Sequence, residues 1–485
     1  MSNLSSVYYQ DYQLLNAADI REQMGIPYSD EQMQAILSAG KPGVVIAGAG
    51  SGKTAVMAAR VVHLVMNLGV APENILGLTF TNLATGELQQ RVRKALSSVP
   101  ESTQATYFSN QLRQKFMSQD LDFDDVSNRP EIDLLLRDAE FGDCAVSTYH
   151  SFASSIVTEF GMLLGLDSSA EVLTGPSRAQ LAAEVLRNPT TNVIKLEGSF
   201  NSLLTQIIKL DDAMADFDLT VADFQKHLDE IKADVESRPG RVIKDATKMI
   251  DTSEKRVLLA ELVGEFRARK LQAGVIDYAD MTRFALQLAR TDERVRTEMR
   301  NRYQAVLLDE YQDTSVAQRK LMQELFNDGR SVTAVGDPLQ CIYRFRGASP
   351  FNIDEFKNHF SVAGEISVHE FGMAVTQRNG KNIVALANKV AEPLREVHPA
   401  VGVLKAAQPA RNGEGEIKAA QTESFSTEMD WLADELKQAL SEGLQPEEIA
   451  VILRRNKDVM EVHRQLTARG LACQVRSKWA LLEVP

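Results

Sequence analysis

Cysteine is scarce in this chain. Three occur in 485 residues, Cys144, Cys341 and Cys473, and none belongs to a Cys-x-x-Cys pair. That excludes a zinc ribbon or a cysteine-held iron–sulfur cluster, and the usage fits a reducing, cytoplasmic setting. No apolar run is long enough to span a bilayer. The first thirty residues mix Asp, Arg, Glu and Tyr without the apolar centre of a secretory signal, so no membrane association is expected. Basic charge is in deficit as well: 53 Lys and Arg stand against 66 Asp and Glu, a net charge of −13. Alone, that balance argues against a nucleic-acid partner. It does not exclude one, because binding depends on a local groove and not on the sum. Arg91-Val92-Arg93-Lys94, Arg344-Phe345-Arg346 and Arg454-Arg455-Asn456-Lys457 fit either a solvated face or such a groove.

What is present is a globular composition, 44% hydrophobic and 25% charged, enough for roughly two to four domains of ordinary size. Short apolar runs recur at Val44–Ala47, Ile75–Phe80, Ala145–Thr148, Ala305–Leu308, Val332–Val335 and Ile449–Leu453. They lack polar alternation, as strands covered on both faces do. Helical patterns separate them, which predicts an α/β fold with a parallel sheet. Between about 101 and 273 the texture turns to Leu-, Ala- and charge-rich helical periods, as in Arg178–Leu186, and reads as a helical insertion. Gln408–Gly415 reads as a loop.

The most informative segment is Val44-Val45-Ile46-Ala47-Gly48-Ala49-Gly50-Ser51-Gly52-Lys53-Thr54. A strand-like run feeds a glycine-rich turn that ends in Gly-Lys-Thr before a helical pattern, the context a phosphate-binding loop needs. Glycines let successive N–H groups face a polyphosphate. Lys53 is placed to reach the β/γ oxygens of ATP, Thr54 to ligate Mg²⁺, and the following helix adds its N-terminal partial charge. Ala47 stands where the usual pattern begins with glycine. A second segment, Val306-Leu307-Leu308-Asp309-Glu310-Tyr311-Gln312-Asp313-Thr314, ends a buried strand in two carboxylates. Asp309 suits Mg²⁺ and Glu310 suits orienting or deprotonating a water. Asp313-Thr314 fits equally a helix cap.

Five segments in order, Ala47–Thr54, Thr79-Phe80-Thr81-Asn82, Thr148-Tyr149-His150-Ser151-Phe152, Asp309–Thr314 and Val335–Ala348, resemble superfamily 1A helicases of the UvrD/Rep/PcrA type. Met57–Val65 and Ile75–Thr81 look nearest to the motor portion of an actinobacterial AdnB-type helicase–nuclease subunit. The resemblance implies a RecA-like P-loop domain from 1–100 and 275–366, a mainly helical insertion at 101–274, and a partial second RecA-like domain at 367–485. It implies a 3′-to-5′ motor that uses ATP and Mg²⁺ on single-stranded DNA and on single-strand/duplex junctions in repair or recombination, with a second helicase or nuclease subunit as a possible partner.

Residue by residue, it implies that Gln32 reads the adenine edge, that Gln340 senses the γ-phosphate, and that Arg378 reaches the same phosphate across a cleft. Phe80, Thr81, Asn82, Thr148, His150, Tyr343, Phe345 and Arg346 match single-strand contacts. Tyr343, Phe345 and Arg346 alternate with Ile342 and Arg344, which in an extended segment lines one face with rings and a guanidinium. Such rings also fit a hairpin packed in the core, and His150 fits a core histidine. Two departures stand out: Gln377 where the family often stacks a tyrosine on adenine, and Leu83 where a lysine is common. The family's last motifs do not follow before Pro485, so the chain reads as a complete first motor, its insertion, and the opening of a second. Two functions fit: an ATP-driven helicase motor, or a fragment that grips ATP and single-stranded DNA but hydrolyses little.

Overall fold

The structure is a computed structural model that describes residues 14–119, 123–125, 128–137, 139–167, 170–238, 244–361, 368–407 and 413–475. The run Gln408–Asn412 of the expected loop and the last residues, Ala480–Pro485, lie outside them. The described chain divides into one unit up to Glu414 and a second from Gly415.

The first unit is organised by a six-stranded sheet. Its strands are β1 (Gly43–Ala47), β2 (Ile75–Thr79), β3 (Ala145–Thr148), β4 (Ala305–Leu308), β5 (Ser331–Gly336) and β6 (His369–Met373), in the spatial order β3-β2-β4-β5-β1-β6. Every pairing is parallel, with Val45 opposite both Val335 and Phe371, and Leu76 opposite Val306. Val44, Ile46, Leu76, Leu78, Val306 and Leu308 pack into one core. Val45, Ala47, Ile75, Ala305, Leu307 and Val335 pack into another. Alternate residues of one strand therefore enter cores on opposite faces, which is why these runs are apolar without alternation. Five of the six expected strands are present. Ile449–Leu453 forms none; among the described residues it has no strand to pair with, and Ile452 is 90% exposed. The edge strand β6 lies beyond the boundary drawn at 366, so the sheet extends to 373.

Each of the first three strands runs into a helix: α1 (Lys53–Met66), α2 (Asn82–Ser97) and α3 (Tyr149–Phe160). Thr81 Oγ1 accepts from Ala84 N at 3.1 Å and Thr148 Oγ1 from Ser151 N at 3.1 Å, so threonines at the strand ends cap α2 and α3. A parallel two-strand pair, Val375–Thr376 with Lys405–Ala406, encloses the helix Lys381–Val397 as one β–α–β unit.

Helices α4 (Gly175–Arg187), α5 (Phe200–Asp216) and α6 (Lys244–Gln272) share a core of Ala182, Val185, Ile207, Met214, Ala260, Leu262, Val263 and Phe266. Where they meet α7 (Tyr278–Thr291), charge is buried. Lys270 Nζ, on a residue 1% exposed, lies 3.0 Å from Asp211, 2.8 Å from Asp277 and 2.8 Å from Asp280. Arg267 meets Asp211 at 2.7 Å, Arg283 meets Asp280 at 2.7 Å, and Arg178 bridges Asp211, Asp212 and Asp277. Burial alone would raise the Asp211 carboxyl, but Lys270 and Arg267 hold it at about 2. From Gly415 on, the described residues hold two α-helices, Phe425–Ser441 and Asn456–Ala468, joined through Met429, Ala433, Val462 and Leu466.

Candidate nucleotide and single-strand site

In a parallel α/β sheet the strand ends that feed helices gather the loops, and ligands bind there. The turn between β1 and α1 is shaped by Gly50 (φ 73°) and Gly52 (φ 89°), both left-handed, so the loop's N–H groups can turn toward one centre. There is no room for a side chain at Gly50: a Cβ would lie 2.5 Å from Thr376 Oγ1 and 2.6 Å from Arg378 Cβ. Gln377 N donates to Gly50 O at 2.8 Å, and a Cβ on Gly48 would meet Leu404. The segment carrying Arg378 thus lies against the loop. Ser51 Oγ is buried without a partner, the kind of orphaned group a bound phosphate would satisfy.

Lys53 Nζ donates to Glu310 Oε2 at 2.9 Å, joining α1 to the end of β4. Beside them Asp309 is 6% exposed, and its Oδ1 accepts from Glu310 N at 3.0 Å. Burial pushes the Asp309 carboxyl up to about 7; Glu310 adds to this and Lys53 opposes it. Among the described residues no cation pairs directly with Asp309, and a buried carboxylate so placed is suited to a metal ion. Among the described residues no group of three or more His, Cys, Asp and Glu is arranged to hold a metal ion by itself. Glu310 has φ 46°. A non-glycine residue in that region costs roughly 1–3 kcal/mol and tends to occur where function holds it.

On the same edge, Phe80 at the end of β2 lies 4.4 Å from Tyr343 between ring centroids, and Tyr343 lies 6.0 Å from Phe345. Arg346 sits over Phe345 at 5.8 Å. Phe345 is 77% exposed while Phe80 and Tyr343 are half-buried, so the rings form a shelf that opens outward at Phe345. The expected strand-like alternation is absent: Arg344–Arg346 is a 3-10 turn closed by Gly347 at φ 74°. The turn still brings the rings side by side. His150 is exposed at the start of α3, and its pKa is lowered by the surrounding protein and by the Arg346 charge. Five residues expected to contact a single strand are therefore grouped, with capping Thr81 and Thr148 beside them.

A profile of the UvrD/REP helicase N-terminal domain matches residues 28–361, and one of the UvrD-like helicase C-terminal domain matches 376–483. The chain belongs to the UvrD/REP helicase family. Its relatives include a Probable DNA helicase II homolog of Mycoplasma capricolum, 23% identical over 450 residues, 92% of this chain and 51% of the relative. ATP-dependent DNA helicase UvrD2 of Mycobacterium tuberculosis is 25% identical over 452 residues, 92% and 55% of the two chains. UvrD1 of the same organism is 26% identical over 368 residues, 74% and 38%. The chain spans about half the length of the curated relatives it matches.

Within this UvrD-like chain, the loop Ala47–Thr54 reaches the carboxylates through Lys53, which meets Glu310 beside Asp309. Gln340 lies at the end of β5 but faces Asp337, whose Oδ2 accepts from its Nε2 at 2.7 Å. Gln32 is a strut beneath the loop: its Oε1 accepts from Ser29 N and its Nε2 donates to Ser51 O, both at 2.8 Å. Reading an adenine edge would require it to exchange one of those bonds. Asn82 and Leu83 are exposed on the first turn of α2. Sequence reasoning passed over Gln312 and Asp337, although both lie inside quoted motifs. A glutamine between two carboxylates was the available signal.

Proposed function

We propose that the chain is an ATP-driven 3′-to-5′ DNA helicase motor that moves on single-stranded DNA in repair or recombination, in the cytoplasm. Residues 1–100 and 275–366, extended by β6 and joined by β3 and α3 from within 101–274, form the first motor; the rest of 101–274 is the insertion; the β–α–β unit and the residues after it open the second. The observation that carries the reading is the Lys53–Glu310 pair beside buried Asp309, which has no direct ion pair among the described residues, on the sheet edge that also bears the Phe80–Tyr343–Phe345 shelf.

Mg²⁺–ATP supplies the electrophilic phosphoryl group and the shielding charge when bound. The chain's part is positioning. Gly48–Gly52 N–H groups and Ser51 Oγ hold phosphate oxygens, Lys53 leaves Glu310 for them, and Thr54 with Asp309 holds the metal. Glu310, released from Lys53, orients a water and accepts its proton. Gln340 and Arg378 approach the outermost phosphate from two sides. Phe80, Tyr343 and Phe345 stack bases, while Arg346 and the capped starts of α2 and α3 meet phosphates.

The test is nucleotide binding and ATPase activity with and without an oligothymidylate. Lys53→Ala loses ATP binding, and the parent's turnover rises with DNA; equal affinity in both would overturn the reading. A second reading, binding of ATP and single-stranded DNA with little hydrolysis, is favoured by the smallness of the second sheet, two strands among the described residues. Tight binding of both ligands with no DNA-stimulated turnover would select it.

A further inference from the structure

We propose that Gln312 is a positioning residue that ties Glu310 to the loop bearing Gln340 and the aromatic shelf, so that DNA on the shelf sets the geometry of hydrolysis. The inference rests on the ATPase reading above and adds a physical link between its two halves. The Gln312 side chain is buried, at 1% exposure. Its Nε2 donates to Glu310 Oε2 at 2.8 Å, the same oxygen that accepts from Lys53. Its Oε1 accepts from Asp337 N at 3.1 Å. Asp337 in turn accepts from Leu339 N at 2.9 Å and from Gln340 Nε2 at 2.7 Å. An unbroken line of hydrogen bonds therefore runs Lys53, Glu310, Gln312, Asp337, Gln340.

Neighbouring contacts tighten the same seam. Asp313 Oδ1 accepts from Ile342 N at 3.2 Å, and Cys341 Sγ lies 3.3 Å from Gln312 O. Gly336 makes the approach possible, since a Cβ there would lie 2.3 Å from Gln312 Oε1. Only a group that donates at one end and accepts at the other suits this place. A carboxylate would face Glu310 with like charge, and an aliphatic chain would leave Asp337 N unpaired in a buried seam and Glu310 with Lys53 as its side-chain donor. Once Lys53 moves to a phosphate, Gln312 is the remaining side-chain donor to Glu310 among the described residues. A shift of the shelf then has a direct route to the Glu310 carboxylate.

Gln312→Met and Gln312→Glu test this in the full chain, with a fluorescent ATP analogue for affinity, oligothymidylate binding by anisotropy, and ATP cleavage with and without that oligonucleotide. Single-turnover cleavage reads the same ratio where steady turnover is slow. The expected result is nucleotide and DNA affinities within about twofold of the parent, kcat at least about tenfold lower, and a DNA stimulation ratio falling toward one. Gln312→Glu keeps size and the bond to Asp337, so it remains informative should Gln312→Met fail to fold. A purely structural role would lower Tm and scale basal and stimulated rates together; an unchanged stimulation ratio overturns the link. If Lys53→Ala binds the analogue as well as the parent, the ATPase reading itself fails, a separate outcome.

Discussion

Asp309 and Asp211 are the same kind of residue, both buried, in two regions that treat charge oppositely. Just past the end of β4, Asp309 makes no direct ion pair among the described residues and is pushed up to about 7 by burial and by Glu310, with Lys53 opposing only in part. Between α4, α5, α6 and α7, Asp211 is fully buried yet held at about 2 by Lys270 and Arg267. In the helical cluster every carboxylate is matched by lysine or arginine from the chain. At the sheet edge a carboxylate is left for something else to match. A buried charge completed by the protein is structural; one left incomplete is where a ligand belongs.

The largest expected effect lies on the incomplete side. Glu310→Gln should lower ATP hydrolysis by about 10²–10⁴-fold, the usual share of a general base, while retaining ATP, because the phosphate and metal contacts survive. Rapid release of ATP by this variant in a filter assay would undo the contrast. Next, Lys270→Met removes the ammonium shared by Asp211, Asp277 and Asp280 and should destabilise the fold by about 3–5 kcal/mol, read by urea unfolding. A loss under about 1 kcal/mol would mean that the cluster is not completed by this lysine.

The two aspartates should also give opposite pH slopes. The Asp309 carboxyl is raised, so its ionisation works against the metal-free fold progressively as pH climbs from about 4 to about 7. Asp309→Asn should therefore match the parent's Tm below about pH 4 and exceed it near pH 7 and above, while losing hydrolysis. The Asp211 carboxyl is depressed. Its contribution is present above about pH 4 and is lost as pH falls through about 2. A calorimetric pH series in which Asp309→Asn and Asp211→Asn shift Tm in the same sense near pH 7 would break the comparison. The smallest effect concerns the shelf. Replacing Tyr343 and Phe345 by Ala should weaken oligothymidylate binding by about 1–3 kcal/mol per lost stack and leave stability nearly unchanged; a large drop in Tm would return those rings to the core.

Legibility in the sequence followed the same divide. The loop Ala47–Thr54 and the pair Asp309–Glu310 are each local, and their order along the chain sufficed to place them. The helical cluster was not legible. Arg178, Asp211, Arg267, Lys270, Asp277 and Asp280 each look like solvated helix surface, and only the packing of four helices brings them together. Strand β6 was missed because His369-Glu370-Phe371-Gly372-Met373 lacks an apolar run; as an edge strand it needs burial on fewer sides. Ile449–Leu453 had the composition of a strand but no partner among the described residues. The role of Gln312 depends on Asp337, 25 residues away, a distance no local pattern spans.

The ring around Lys270 has a kinetic consequence. Its carboxylates and cations come from helices α4, α5, α6 and α7, and no member can be withdrawn without stranding another in a medium that solvates it poorly. Partial fraying at this junction is therefore suppressed, and its helices open together or stay shut. In a hydrogen-exchange experiment the amides of α4, α5 and α6 nearest the ring should exchange as one cooperative unit, with one shared opening free energy.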